Sequence, residues 1–364
     1  MSDKVPFMVC TRCMTYNHAM YIEKALNGFV LQNTTFPVVY TILDDASTDS
    51  TQDVIETFLT EGFNLHDSST VQNEETDDYT MVFAQHHTNP NCYFAYYRLK
   101  YNHWNDLDSR RRRFKYIARW NDAATYTAYC EGDDYWTDPD KLEKQVLFLN
   151  NNPSYSMCFH AVNYEEDGLI TRNDQKSNRE CDFSTYQLIY EGGLFCSTNS
   201  LVFRSKYNND WPLFRRIADV GDGPLQILLS LRGEIHYFPD IMGVYRYGAS
   251  GSWTESGKNS LQRRINHYTN GIKWYKELDA YTNGRFKNAI YHRICLVSIF
   301  LYNNGVLSKK ELRSNFKQLS FGRDKIHLIK QLFLTAVIYP SPLFQKARTI
   351  YNKYLKKTNR RTPK

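Results

Sequence analysis

The chain lacks any run approaching the ~20 consecutive apolar residues of a membrane-spanning helix, and Met1 to Pro6 has neither the basic start nor the apolar centre of a signal peptide. The expected location is therefore cytoplasmic. Eight cysteines in 364 residues, with no dense spacing, do not make a disulfide framework and fit reduced thiols. Cys10 and Cys13 form a lone CxxC in an apolar run, with no second pair to complete a zinc site. Internal repeats and low-complexity linkers are also missing.

What is present is ample core material, 42% hydrophobic and 15% aromatic residues, enough for one elaborated domain or a domain with an appendage. The net charge of +6 hides an asymmetry. From Val306 onward there are 15 Lys/Arg against 2 Asp/Glu, whereas the rest carries 30 against 37. Val5 to Cys13 reads as a buried strand, and Tyr21, Ile22, Ala25, Leu26, Phe29 and Val30 recur with helical spacing. Val38 to Leu43 is a second strand, and Val54, Ile55, Phe58 and Leu59 mark a second helix. Strand, helix, strand, helix implies a parallel sheet.

Asp67 to Asp122 reads as an irregular insertion of loops or helices, with the run Arg110 to Arg113 as a solvated face or, alternatively, with some of these arginines approaching donor or acceptor phosphates. Tyr126 to Cys130 is a further short strand. Asp138 is placed to cap a helix with Pro139 at its first position and Leu142, Val146 and Leu149 on one face. Further strands are expected near Ser156 to Val162, Ser200 to Phe203 and Glu234 to Phe238, with an amphipathic helix from about Asp222 to Leu231.

Carboxylates cluster where strands end. Asp44 and Asp45 close the second strand, and Glu131-Gly132-Asp133-Asp134 follows Tyr126 to Cys130. Rigid carboxylates at strand ends are what a hard divalent cation and a diphosphate require, and open α/β sheets bind ligands beyond those ends. In order along the chain stand Thr15-Tyr16-Asn17, Asp44-Asp45-Ala46-Ser47-Thr48-Asp49, Glu131-Gly132-Asp133-Asp134 and Gly221-Asp222-Gly223. Over about residues 5 to 255 the sequence resembles the inverting glycosyltransferases of family 2.

That resemblance implies a GT-A (Rossmann-like) α/β fold: a mixed, mostly parallel sheet flanked by helices, with a C-terminal helical extension. It divides the chain into a catalytic domain, 1–255, and a basic helical region, 256–364. It implies transfer of a hexose or amino-hexose from a nucleotide-diphosphate sugar, UDP-sugar first, to a glycan or lipid-linked saccharide in bacterial surface-polysaccharide assembly. Thr15, Tyr16, Asp44, Asp45, Asp133, Arg246, Ser252 and Trp253 are then donor-binding residues, with Tyr16 at the nucleobase and Asp45 hydrogen-bonded to it. Asp134 is the ligand of Mn²⁺ or Mg²⁺, and Asp222 is the general base, with Asp219 its rival. As structural alternatives, Asp45, Ser47 and Thr48 cap the following helix, and Asp222 caps its own.

Glu131 stands where the family places an aspartate, Met14 where some relatives place a small hydroxyl residue, and Gly221 replaces the usual acid before the base. The absence of Gln-x-x-Arg-Trp argues against a processive, membrane-spanning polymer synthase. A sugar-phosphate nucleotidyltransferase is a rival fold user, but Thr11 to Asn17 lacks the glycines of its phosphate loop. A degenerate transferase that only binds glycans is the non-enzymatic rival. Leu328 to Phe344, apolar with Pro340 and Pro342 and rimmed by Lys and Arg, suits an interfacial helix on an anionic membrane surface, which places the protein peripherally on the inner face of the plasma membrane. The alternative is a helical subdomain with a solvated basic end. No nucleic-acid module accompanies this charge.

Overall fold

Along Val9–Thr15 (β1), Val9 and Cys13 point to one apolar cluster and Cys10 to another, so the strand is buried on both faces, as a central parallel strand must be. The computed structural model of the chain describes residues 7–67, 71–104, 107–192, 195–250, 252, 255 and 260–319. β1 pairs in parallel with β2 (Val38–Asp44), with Val9 opposite Val38 and Thr15 opposite Asp44. On its other side it pairs in parallel with β6 (Tyr126–Tyr129), with Arg12 opposite Tyr129.

The insertion between Asp67 and Asp122 is not irregular. It supplies three strands, β3 (Gln72–Glu75), β4 (Tyr79–Gln85) and β5 (Cys92–Leu99), before α3 (Leu107–Ala123). β5 adds in parallel to β2, and β4 and β3 continue antiparallel to the edge. The edge strand is polar because only its inner neighbours are covered, which hid the pattern.

The other half comprises β7 (Tyr135–Trp136), β8 (Tyr155–Glu166), β9 (Leu169–Asn173), β10 (Cys181–Phe183), β11 (Val202–Arg204) and β12 (Glu234–Arg246). The sheet runs β10-β12-β8-β11-β6-β1-β2-β5-β4-β3, with β7 on β12 and β9 on β8. It is mixed: β11 is antiparallel to both neighbours, while β12 and β8 are parallel.

One face is covered by α1 (Ile22–Val30), α2 (Thr51–Gly62) and α4 (Lys141–Asn151), which bury Leu26, Phe29, Ile55, Leu59, Leu142 and Val146 against β1, β2 and β6. Each such side chain contributes roughly 1.5–3 kcal/mol. α1 approaches so closely that a Cβ on Gly28 would meet the Trp136 carbonyl oxygen at 2.9 Å. The other face is covered by α3, whose Ile117 and Trp120 pack with Cys10, Val39, Leu43 and Phe83. Asp138 does not cap α4. The cap position is Asp140, whose N–H donates to Asp138 Oδ1, so the carboxylate supports the turn before the helix.

All eight cysteines are free thiols; seven are buried and Cys181 is half-buried. Burial pushes the Cys10 thiol up to about 12, which makes the CxxC pair inert packing.

Two compact units divide the chain. The sheet and its helices lie in Met1–Leu188, Gly193–Trp211 and Val220–Ser260; the second unit is Ile189–Gly192, Pro212–Asp219 and Leu261–Lys364. In the second, helices Leu261–Tyr281 and Lys287–Asn303 bury Trp274, Leu278, Ile290 and Ile294, and helix Lys309–Lys317 starts with a Ser308–Glu311 capping box. No helix among the described residues is long and apolar enough to cross a membrane. Leu328 to Phe344, where an interfacial helix is expected, lies outside the described residues.

Candidate active site

The strand-end motifs meet because the β1 ladder continues past the strands on both sides. Asp45 N–H donates to the Thr15 carbonyl at 2.9 Å, Cys130 N–H to Arg12 at 3.1 Å and Gly132 N–H to Met14 at 2.9 Å. Three loops are thereby docked on one strand end, the crevice where open α/β sheets take ligands. Gly132 is required there: a Cβ would lie 2.6 Å from Thr15 Oγ1 and 3.0 Å from His18 Nδ1. Both of those buried polar atoms have no hydrogen-bond partner. Burial holds the His18 imidazole below its ordinary value.

On the β2 side, Asp44 and Asp45 diverge, as adjacent extended residues do. Asp44 is fully buried and accepts from Ser47 N–H at 3.1 Å, Gln52 Nε2 at 2.6 Å and the Ser47 hydroxyl, so it orients its own loop. Asn17, at φ 55°, ties this loop to the turn after β1 through Ser47 and Thr48. Asp49, not Asp45, supports the start of α2, accepting from Thr51 N–H at 3.0 Å. Asp45 accepts from His103 N–H at 2.9 Å and from Arg113 Nη1 at 2.9 Å, and its carbonyl accepts from Asn102 Nδ2. Arg113 is therefore a buried partner of Asp45 and not part of a solvated face. The rings of Tyr16 and Trp104 are exposed at 37% and 44%.

On the β6 side four carboxylates gather. Asp134 is buried and accepts the Arg246 N–H at 2.9 Å. Burial, Asp133 and Glu131 push its carboxyl well up, against a smaller opposing pull from Arg246. Glu131 accepts from Met14 N–H at 2.9 Å and from Arg12 Nη2 at 3.3 Å. Arg246, expected at the donor phosphates, turns inward: its Nε donates to Glu165 at 2.8 Å and its Nη1 to the Asp133 carbonyl at 2.6 Å, leaving it 5% exposed. It fixes the Asp133–Asp134 backbone.

Asp222 is the first residue of helix Asp222–Arg232, with Gly221 at the cap position and no side-chain cap. Its carboxylate does not cap that helix. Burial pushes its carboxyl up, and the Arg12 guanidinium and a hydrogen bond from Thr198 pull it part of the way back. Asp219 belongs to the second unit, paired with His267 Nδ1 at 2.8 Å. Ser252 sits in a local turn, its N–H donating to Ala249 and its Oγ accepting from Glu255 N–H. Trp253 lies outside the described residues.

The sequence reading missed Arg12, His18, His103, Arg113 and Tyr245. Only Arg12 left a signal, as the one charged residue in β1. Among the described residues no group of three or more His, Cys, Asp or Glu side chains forms a metal cage. The crowded Asp133–Asp134 pair nevertheless fits a hard divalent cation that takes one or two carboxylates from the protein and its other oxygens from a substrate diphosphate.

No protein-family model matches the chain. Uncharacterized proteins of Mycobacterium tuberculosis H37Rv and Mycobacterium bovis are each 32% identical over 241 residues, 66% of this chain. The chain spans 59% of the length of these curated relatives. Among solved structures, the 1–349 fragment of Staphylococcus aureus TarS with UDP-GlcNAc is 14% identical, covering 94% of this chain and 88% of that one at a TM-score of 0.56. The same fragment with UDP is 14% identical, covering 94% and 87% at 0.50. At that identity the likeness is one of fold, and the fold is the GT-A glycosyltransferase fold.

Proposed function

We propose that the protein is an inverting glycosyltransferase that moves a hexose or amino-hexose from a nucleotide-diphosphate sugar, UDP-sugar first, to a glycan or lipid-linked saccharide. The observation that carries this reading is the docking, on one end of β1, of the loop that carries Asp45 and the loop that carries Asp133 and Asp134. The TarS fragment of the same fold is in complex with UDP-GlcNAc, which supports the donor class.

In this reading Asp45, held by Arg113 and His103, accepts an N–H of the nucleobase while Tyr16 stacks on it. Asp44 shapes the ribose side, Thr15 and Ser252 line the donor, and Trp253 closes over it. Asp133 contacts the sugar and Asp134 holds Mn²⁺ or Mg²⁺. When bound, the ion offsets negative charge on the departing diphosphate. Arg246 keeps both carboxylates in place through its bonds to the Asp133 carbonyl and Glu165. Asp222 takes the proton of the acceptor hydroxyl as that oxygen bonds to the anomeric carbon. The bond to the diphosphate breaks on the opposite side, its electron pair leaves with the nucleoside diphosphate, and configuration inverts.

Calorimetric titration with UDP, with and without Mn²⁺ and with GDP and CMP as controls, tests the donor half. Metal-dependent binding selective for UDP supports it; no binding to any nucleotide sinks it. For the acceptor half, Asp222→Asn is expected to lower turnover by ~10²–10⁴-fold while leaving UDP affinity within a few-fold of wild type. The strongly basic segment from Val306 carries the proposal of peripheral attachment to an anionic membrane face. Equal flotation with anionic vesicles before and after truncation at Val306 would remove it.

A further inference from the structure

Asn102, His103 and Trp104, between β5 and α3, are tied to Asp45 one after another. Asn102 Nδ2 donates to the Asp45 carbonyl at 2.9 Å, and His103 N–H donates to the Asp45 carboxylate at 2.9 Å. Trp104 N–H donates to Asn102 Oδ1 at 2.9 Å, so one asparagine side chain links the Trp104 backbone to the Asp45 backbone. The side chains are linked as well. Arg113 is buried and donates from Nη1 to Asp45 Oδ2 at 2.9 Å, and its guanidinium carbon lies 5.6 Å from the centre of the Trp104 ring, within cation–π range. The outcome is an indole, 44% exposed, held from two directions beside a carboxylate that is 2% exposed. An aromatic face already held in place gives up little conformational freedom when a flat ligand covers it.

We propose that Trp104 is a nucleobase-stacking residue: Asp45 takes an N–H from the edge of the base while the indole covers part of its plane. The inference rests on the donor reading, in which Asp45 accepts from the base, and adds a contact from the segment after β5 to that of Tyr16. The two contacts select on different properties. An ionised carboxylate only accepts, so Asp45 asks for an N–H on the pairing edge, which uracil offers and the ring nitrogen of cytosine does not. An aromatic face takes any flat base. Asp45 therefore reads the edge, and Trp104 reads planarity.

Dihydro-UDP, whose uracil ring is reduced, keeps the N–H and both carbonyls but loses the flat aromatic ring, so it separates the two contacts. Calorimetric titration of the full-length chain with Mn²⁺ compares it with UDP. The wild type is expected to bind UDP several-fold more tightly. Trp104→Ala should weaken UDP roughly tenfold, the scale of one lost base–aromatic stack, and dihydro-UDP by less, so that the preference shrinks. Trp104→Phe, which keeps an aromatic face, should stay within a few-fold of wild type and retain the preference. Equal binding of the two ligands by the wild type overturns the proposal. So does a folded Trp104→Ala that weakens both equally or neither, which leaves the indole a prop for Arg113. A wild type that binds no UDP removes the donor reading itself, and this inference with it.

Discussion

Asp45 and Asp134 are both about 2% exposed and both sit at the ends of strands flanking β1, but their surroundings treat them oppositely. Asp45 has a buried arginine on one oxygen and a backbone N–H on the other. Asp134 has one backbone N–H and lies in the field of two further carboxylates. A matched buried charge is stable in the protein by itself. An under-compensated one costs the fold stability.

The largest way to break the contrast is to unpair the matched side. Arg113→Met strands Asp45 and should lower unfolding free energy by about 3–5 kcal/mol in urea titrations. Next is the scaffold behind the crowded side. Glu165→Gln removes a charge-assisted bond to Arg246 and should cost about 1.5–3 kcal/mol near neutral pH. Burial opposes the charge on Glu165, but bonds from Arg246 and Tyr135 hold it below its ordinary value of 4.5. Its stabilisation is thus complete above that value and is lost as pH falls through the depressed one, so the gap from wild type closes in acid.

The smallest effect sharpens the comparison from the other side. Asp134→Asn should stabilise the metal-free protein at neutral pH, because it removes a buried carboxylate that its neighbours push toward the neutral form. The sign follows from the raised carboxyl. A group raised in the folded state favours folding below its unfolded value and loses that favour as pH rises, so the wild type is penalised at neutrality and not in acid. Melting curves at two pH values check it. Added Mn²⁺ with UDP should raise the wild-type midpoint and leave the Asn variant unmoved.

The strand ends were legible because β1, β2 and β6 are buried on both faces and read as apolar runs punctuated by carboxylates. What escaped depends on side chains meeting across distance. Arg113 looks like its solvated neighbours in the arginine run, and only the fold places it beside a residue 68 positions away. β7, two residues long, pairs with β12 more than 100 residues later and has no local signature. The cap alternative for Asp222 rested on Pro224 two residues on, but the helix begins at Asp222 itself, with Gly221 at the cap position and no side-chain cap.

The burial of seven thiols has a practical reach. A maleimide dye added to the folded protein should find Cys181 and little else, because thiols shut in the core react only after unfolding. Replacing that one residue would leave a chain silent to thiol reagents, onto which a single reporter cysteine can be placed beside the exposed Tyr16 or Trp104 to test by fluorescence whether a nucleotide arrives there.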